Sequence, residues 1–369
     1  MKVAIVHDHL VQDGGAERVA RALLEMFPAS SFFTLLFNKE KVPEFFHQQK
    51  ITTSFLQKIP YFNKKSEWLL PLMPSATEHH NLSKFQLIIS SSSIFSKGVI
   101  TNPNSLHICY CHTPPRFLWT DTHNYLNELN HNFLIKKTLP LVLTKLRQWD
   151  RLAAERVDFF VANSLEVQKR IKKYYGQESK VIYPPVETAN FHLSNKLDKY
   201  FLTGGRLVGY KRFDLTIQAF NRLNLPLKIF GVGPMFDKLK KIARNNIEFV
   251  GKINEKEKIN LLAHCQAFIN PQSEDFGITA VEAMASGRPV IAYKSGGALE
   301  TVIENVTGKF FEEQTWEDLA YAILKFHNNT FNPQAIKDHA EKFSTANFER
   351  NFKTFVIEKI EQRQNEHHP

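Results

Sequence analysis

Two carboxylates, Glu274 and Glu282, stand eight positions apart in the stretch PQSEDFGITAVEAMASGRPVIAYKSGGALETV, residues 271–302. The stretch reads as loop, helix, strand and loop. Pro271 and the polar Gln272-Ser273 end the apolar run AFIN (267–270), and Gly277 to Ser286 has the composition of a buried helix. Gly287 suits a left-handed C-cap, and Pro289 opens the strand PVIAY. Glu274 then lies in the loop before the helix and Glu282 inside it. Both can face one pocket beside a helix N-terminus, whose free N–H groups favour an anion such as a phosphate. A core helix with two solvated glutamates is the competing reading, and this stretch alone leaves both open.

Cations for such an anion stand in GGRLVGYKR (204–212), where Gly204-Gly205 precede Arg206 and Lys211. An arginine fork and a lysine five residues on can clamp a pyrophosphate from two directions. Alone, the segment is also an ordinary basic turn. Gly231-Val232-Gly233-Pro234 adds another loop that permits close backbone approach. In the first half, HTPPRFLWTD (112–121) puts His112 at a strand end, with Arg116, Trp119 and Asp121 close by in sequence. Strand carboxyl ends border the ligand crevice of an open parallel sheet. His112 is thus a candidate for a polar role at a site, against the alternative of a structural hydrogen-bonding histidine. Asp13-Gly14-Gly15 follows the first strand and suits either a phosphate loop or a mere tight turn. It is not the G-x-G-x-x-G fingerprint. Cations suit phosphates, and carboxylates suit the hydroxyls of a ribose or a sugar, so the set fits a sugar nucleotide. There is no Walker lysine motif and no Asp-x-Asp. Neither NTP hydrolysis nor a metal-held pyrophosphate is expected, and no metal ligand is assigned.

The elements that must position these residues alternate strand and helix. Residues 2–7 read as a strand and Ala16 to Phe27 as a helix; further strands are expected at 31–37, 85–92, 105–112 and 157–164. Several are continuous apolar runs, the pattern of strands buried on both faces of a parallel sheet. KVIYPPVET (180–188) reads as a domain boundary stiffened by Pro184-Pro185. A second series follows, with strands at 200–206, 227–233, 247–251 and 267–271 and helices at 213–223, 235–244 and 255–264. The result is a second doubly wound α/β domain. Residues 342–362 form a last helix, and 363–369 should fray. Residues 55–74 and 133–149 mix aromatics and leucines with lysine and proline. They read as amphipathic loops or short helices that pack on the domain or meet a membrane surface.

At 369 residues, 43% hydrophobic and 23% charged, the chain has globular composition and room for two cores. No run approaches the ~20 apolar residues of a membrane span. MKVAIVHDHL reads as a first core strand, not a signal peptide. Cys109, Cys111 and Cys265 are too few for a disulfide framework, which points to a reduced, cytoplasmic compartment. The net charge of +10 favours an anionic partner: nucleic acid, an acidic membrane surface or a phosphorylated substrate. No zinc-finger or RNP signature occurs, so nucleic acid is not expected.

On these residues the chain resembles a family 4, retaining glycosyltransferase of the GT-B fold. The likeness runs nearly end to end through GGAER (14–18), GRLVGYKR (205–212), SEDFGITAVEAMASGRPVIA (273–292) and GGALE (296–300). The third segment combines Glu-x7-Glu spacing with Phe-Gly after the first glutamate and EAMA at the second. HTPPRFLW with EDFGI is similar to GDP-mannose-dependent mannosyltransferases of bacterial surface polysaccharide and lipopolysaccharide synthesis. The resemblance implies two Rossmann-like doubly wound domains facing across a cleft. The first, acceptor-side domain would span 1–184 and the sugar-nucleotide domain 185–344, with a C-terminal helix, 345–369, crossing back to the first.

It also implies roles. Arg206 and Lys211 would neutralise the leaving diphosphate. Glu274 would hold hydroxyls of the transferred sugar, and Glu282 those of the ribose. Backbone amides of Phe276, Gly277 and Ile278 would touch sugar and phosphate. His112 would sit by the reacting centre, with Gly14 and Gly15 beside donor phosphate and acceptor. The base would lie near Gly231, Gly233, Val250 and Gly251. The expected partners are a sugar nucleotide, GDP-linked in preference to UDP-linked, and a saccharide acceptor, polyprenyl-diphosphate-linked at the inner face of the cytoplasmic membrane. No cofactor is implied. A UDP-sugar-dependent transferase, a GT-B sugar-nucleotide epimerase and a non-catalytic basic binding protein stand as alternatives.

Overall fold

The computed structural model describes residues 1–59, 66–122 and 133–367. The chain divides into two compact units, Met1–Tyr183 with Glu349–Pro369, and Pro184–Phe348. The last helix, Thr345–His367, starts in the second unit and runs on into the first.

In the first unit, β1 (Val3–Leu10), β2 (Ser31–Phe37), β3 (Ile51–Thr53), β4 (Leu87–Ser92), β5 (Leu106–Cys111), β6 (Phe159–Ala162) and β7 (Ser179–Val181) form a parallel sheet in the order β3-β2-β1-β4-β5-β6-β7. Ile5 sits between Phe32 of β2 and Ile89 of β4. Such residues are buried from both sides, which is why these strands read as unbroken apolar runs. The chain reverses direction across the sheet between β1 and β4. That boundary is the switch point at which doubly wound sheets bind ligands. The C-terminal helix closes the other flank. Phe352 meets Tyr110 at 6.2 Å, Phe355 meets Phe159 at 6.5 Å, and Arg363 pairs with Asp158 at 3.2 Å.

Two expectations need correction. β3 and the early part of β7 were not anticipated, because three-residue strands carry too little pattern to read. Residues 133–149 are not irregular: they belong to one α-helix, Phe133–Ala154, that runs through Pro140. A proline inside a helix costs about 3 kcal/mol. Leu143 and Leu146 of this helix are buried in one cluster with Leu36, Phe95 and Leu118. At ~1.5–3 kcal/mol for each buried leucine, packing outweighs the proline. The described part of 55–74 is short 3-10 turns, Phe55–Lys58 and Ser66–Leu72, then the helix Met73–Glu78. Its Leu56, Leu69 and Met73 join the same cluster. Residues 60–65 lie outside the described residues.

In the second unit, β8 (Phe201–Gly204), β9 (Leu227–Phe230), β10 (Ile247–Gly251), β11 (Phe268–Asn270), β12 (Val290–Tyr293) and β13 (Gly308–Phe311) form a parallel sheet in the order β10-β9-β8-β11-β12-β13. Its switch point lies between β8 and β11. The helices Phe213–Leu223 and Glu255–His264 have the expected bounds. The second starts at a reciprocal cap in which Asn254 and Glu257 bind each other's backbone N–H. Between residue 302 and the last helix the sequence carries no pattern read as an element. The structure has β13 and the helices Trp316–Leu324 and Pro333–Ala340 there.

Candidate active site

Lys211 and Glu274 meet at the carboxyl ends of β8 and β11, with Arg206 beside them. The chain leaves β8 through Gly205, whose φ of +129° only glycine adopts readily. A short 3-10 turn, Gly209–Lys211, then brings Lys211 back. Its Nζ donates to Glu274 Oε1 at 2.8 Å, and Gln272 Nε2 donates to the same oxygen at 3.0 Å. The side chains of Lys211 and Glu274 are only 15% and 20% exposed. Burial works against the Lys211 charge, but the adjacent Glu274 carboxylate more than offsets it and holds the pKa above the ordinary lysine value. Arg206 is exposed beside this pair, close enough that its charge opposes that of Lys211. The result is a cation fixed on Glu274 with an exposed one beside it.

The loop bearing Glu274 is clamped by residues the sequence analysis quoted without giving them a role. Gly297 N–H donates to the Glu274 carbonyl at 2.8 Å. A Cβ on Gly296 would lie 2.3 Å from that carbonyl oxygen, and one on Gly297 would lie 2.4 Å from Phe276 Cα. The GG pair of GGALE thus lets one backbone lie against another. Gly277, with φ of +94°, then turns the chain into the helix Ile278–Ala285. The Ile278 and Thr279 amides precede the first bond of this helix, from Ala280 N–H to Gly277 O at 3.0 Å, and offer donors to an anion.

Neither glutamate is a solvated surface residue. Glu282 is 1% exposed and accepts from Lys258 Nζ at 2.8 Å. Lys258 also pairs with Glu255 at 2.9 Å. The two carboxylates therefore occupy different settings, Glu274 at a part-open lysine and Glu282 in the interior. Lys258 and Gln272 were not foreseen. Each is a polar residue in an unremarkable sequence context, and only the fold reveals its partner.

The glycines of 231–233 are required by packing. Gly231 has φ of +111°, and a Cβ there would lie 1.9 Å from Gly205 O; one on Gly233 would lie 2.4 Å from Leu207 O. These glycines let the loop after β9 pack on the loop after β8. By contrast, a Cβ on Gly251 would meet nothing within 4 Å, so the end of β10 beside Val250 is open.

In the first unit, His112 follows β5 and is buried, with Nε2 2.8 Å from Ser91 Oγ. Burial first, and then the nearby His7, push its pKa down to about 3. Its sequence neighbours do not converge on it. Arg116 pairs with Asp121 at 2.8 Å, and Trp119 Nε1 donates to Asp150. Asp150 also pairs with buried Lys97 and accepts from Tyr175 Oη at 2.9 Å. Instead, His112 is joined by residues from β1 and β4. His7 Nδ1 lies 3.1 Å from Ser91 Oγ, and Glu17, next to Gly14-Gly15, lies 3.9 Å from His7 Nε2. Asp8 accepts four backbone N–H groups, from Ser93 to Ser96, at 2.6–2.9 Å. The unusual run His7-Asp8-His9 at the end of β1 was the available signal for this cluster.

Buried neutral histidines make stability pH-dependent. Burial lowers His107 and His80 to about 4, alongside His112 at about 3, from the ordinary histidine value of about 6.5. In the unfolded chain these groups take up protons that the folded form refuses. Their contribution is full above pH ~6.5 and is lost as pH falls through the window below it, by up to about 1.4 kcal/mol per pH unit for each histidine. The thermal unfolding midpoint should fall from pH 7 to pH 5, and His107→Gln should flatten that slope. A midpoint that rises on acidification would contradict this assignment.

Comparison with known proteins follows the same division. The chain is similar to sucrose-phosphate synthase of Thermosynechococcus elongatus, with a TM-score of 0.76 at 17% identity, covering 98% of this chain and 100% of that one. The fold is GT-B, two Rossmann-like doubly wound domains. Residues 187–346 match the family described as Glycosyl transferases group 1. An uncharacterised glycosyltransferase of Methanocaldococcus jannaschii is 29% identical over 206 residues, 54% of this chain and 58% of that protein, so the match spans less than two thirds of this relative. The alpha-1,3/1,6-mannosyltransferase ALG2 of Dictyostelium discoideum is 27% identical over 306 residues, 69% of this chain and 70% of that protein. Among the described residues no helix is long and apolar enough to cross a membrane.

Proposed function

We propose that this chain is a retaining glycosyltransferase of family 4. It transfers a hexose, mannose from GDP-mannose as the first candidate, to a saccharide acceptor carried on a polyprenyl diphosphate. The observation that carries the reading is the Lys211–Glu274 pair at the β8/β11 switch point, inside the segment that matches the glycosyl transferases group 1 model. The mannose assignment draws support from the mannosyltransferase name of the Dictyostelium relative.

In this reading Lys211 and Arg206 stabilise charge that develops on the departing diphosphate. Glu274 accepts hydrogen bonds from hydroxyls of the transferred sugar, and amides of Phe276, Gly277 and Ile278 contact sugar and phosphate. Glu282 serves the ribose, and Val250 and Gly251 border the base. Gly14, Gly15 and His112 serve the first domain's side of the reaction. No side-chain nucleophile is assigned. The acceptor hydroxyl attacks from the face the diphosphate leaves, and the leaving phosphate takes its proton. An acidic membrane surface would meet the exposed Leu72 and Leu141.

A panel of sugar nucleotides read by thermal shift, followed by mass spectrometry of products with and without acceptor, tests the reading. GDP-mannose should give the largest shift and a glycosylated product. Hydrolysis or epimerisation without transfer would replace this reading with an epimerase. Glu274→Gln should reduce transfer far more than GDP binding; equal loss of both would remove Glu274 from the sugar.

A further inference from the structure

His112 stands at the end of a line of buried side chains. Glu17, His7, Ser91 and His112 are all buried, and their contacts run in series: 3.9 Å from Glu17 Oε1 to His7 Nε2, 3.1 Å from His7 Nδ1 to Ser91 Oγ, and 2.8 Å from Ser91 Oγ to His112 Nε2. The Ser91 hydroxyl has one proton and faces two imidazole nitrogens. It donates to one and accepts from the other, so one end of the line determines the other.

Glu17 settles the direction. At 3.9 Å from His7 Nε2 its carboxylate is beyond hydrogen-bond distance, but its charge faces that nitrogen and favours the His7 tautomer with the proton there. His7 Nδ1 is then a lone pair, and Ser91 must donate to it. Ser91 in turn accepts from His112, whose proton is therefore on Nε2. His112 Nδ1, the nitrogen that does not face Ser91, is left unprotonated. Asp8, on β1, is occupied by the four amides of Ser93–Ser96 and does not compete. Gly14 leaves room for this arrangement, since a Cβ there would lie 3.0 Å from Glu17 Oε2.

We propose that Glu17, His7 and Ser91 are positioning residues that order the protons behind His112 and present its Nδ1 as a hydrogen-bond acceptor to a hydroxyl of the bound saccharide. The saccharide clause rests on the transferase reading; the proton order does not.

Long-range proton–nitrogen correlation spectra of the full chain labelled with 15N-histidine read the tautomers directly, with His112→Gln to assign the signal. In the wild type, His112 should carry its proton on Nε2. In Glu17→Gln the carboxamide can donate as well as accept, and a population of His112 with the proton on Nδ1 should appear. Ser91→Ala should free the tautomer to the same extent with or without Glu17→Gln. The conservative Ser91→Thr keeps the hydroxyl and should keep the wild-type signature. With sugar nucleotide, kcat of Glu17→Gln should fall about tenfold, the value of roughly one hydrogen bond, with KM for the donor unchanged. A wild-type His112 protonated on Nδ1 would overturn the proposal. So would a signature that ignores both Glu17→Gln and Ser91→Ala. If Glu17→Gln does not fold, as judged by thermal unfolding, Ser91→Ala alone decides. A wild-type chain that transfers no sugar would sink the transferase reading while the spectra still test the relay.

Discussion

Lys211→Ala is expected to lower kcat by about 10²–10³-fold, the scale seen when one preorganised charge or donor is taken from a developing anion. The lysine is fixed by Glu274 at 2.8 Å and is 15% exposed, so its charge acts through little intervening water. Its pKa lies above the ordinary value, so it stays cationic at any working pH; the stability from this pair persists below pH ~10.5 and fades as pH rises through the folded pKa. Removing it also leaves Glu274 without its counter-charge, which complicates a single substitution. Breaking a fully buried pair costs roughly 3–5 kcal/mol. With both side chains part-exposed, about 1–2 kcal/mol is the appropriate scale. The double variant Lys211→Ala/Glu274→Ala separates the two effects: the unfolding midpoint should recover in part, while kcat should not. Arg206→Ala should cost less, because its guanidinium is exposed and screened. Near wild-type turnover in Lys211→Ala would remove this residue from the reaction.

Much of the architecture was legible because period and punctuation agree. The helix Phe213–Leu223 has six buried residues, Phe213 to Phe220, on one face, and its bounds follow from the pattern. Lys211 and Glu274 were legible as residue types with a spacing, although 63 positions separate them, since each follows a strand of one sheet and the switch point brings those strand ends together. Glu282 was legible as a carboxylate, but its burial against Lys258 was not, because an i to i+24 pairing across two helices leaves no local trace. The same holds for Ser91, which reads as one of four serines in SSSS (90–93) and is singled out only by parallel pairing of β4 with β1 and β5. Glycine is the hardest to assign from sequence alone. Gly14-Gly15 and Gly231 read as ligand loops, yet a Cβ on Gly231 would lie 1.9 Å from another backbone, and the Gly296-Gly297 pair, which the sequence leaves without a role, would place one within 2.4 Å.

That distinction makes Gly231→Ala the second large effect. Alanine at φ of +111° is strained wherever it occurs, by roughly 1–3 kcal/mol. At this position its Cβ would also lie 1.9 Å from Gly205 O, which is backbone and cannot swing aside like a side-chain tip. The Gly231 amide donates to Gly251 O at 2.6 Å and the Gly205 amide to Phe230 O at 3.1 Å, so relief would break the contacts that join the ends of β8, β9 and β10. The second unit should lose on the order of 4 kcal/mol or more, well outside the range of an ordinary surface substitution. Nucleotide binding should weaken with it, since Gly205 leads directly into Arg206 and Lys211. Gly251→Ala is the internal control. It also has a positive φ, +82°, but its Cβ would enter open space, so only the backbone strain of about 1–2 kcal/mol should appear. Urea unfolding of both variants separates strain from collision: equal losses would show that the close approach to Gly205 is readily relieved, and a loss at Gly231 at least twice that at Gly251 is the expected result.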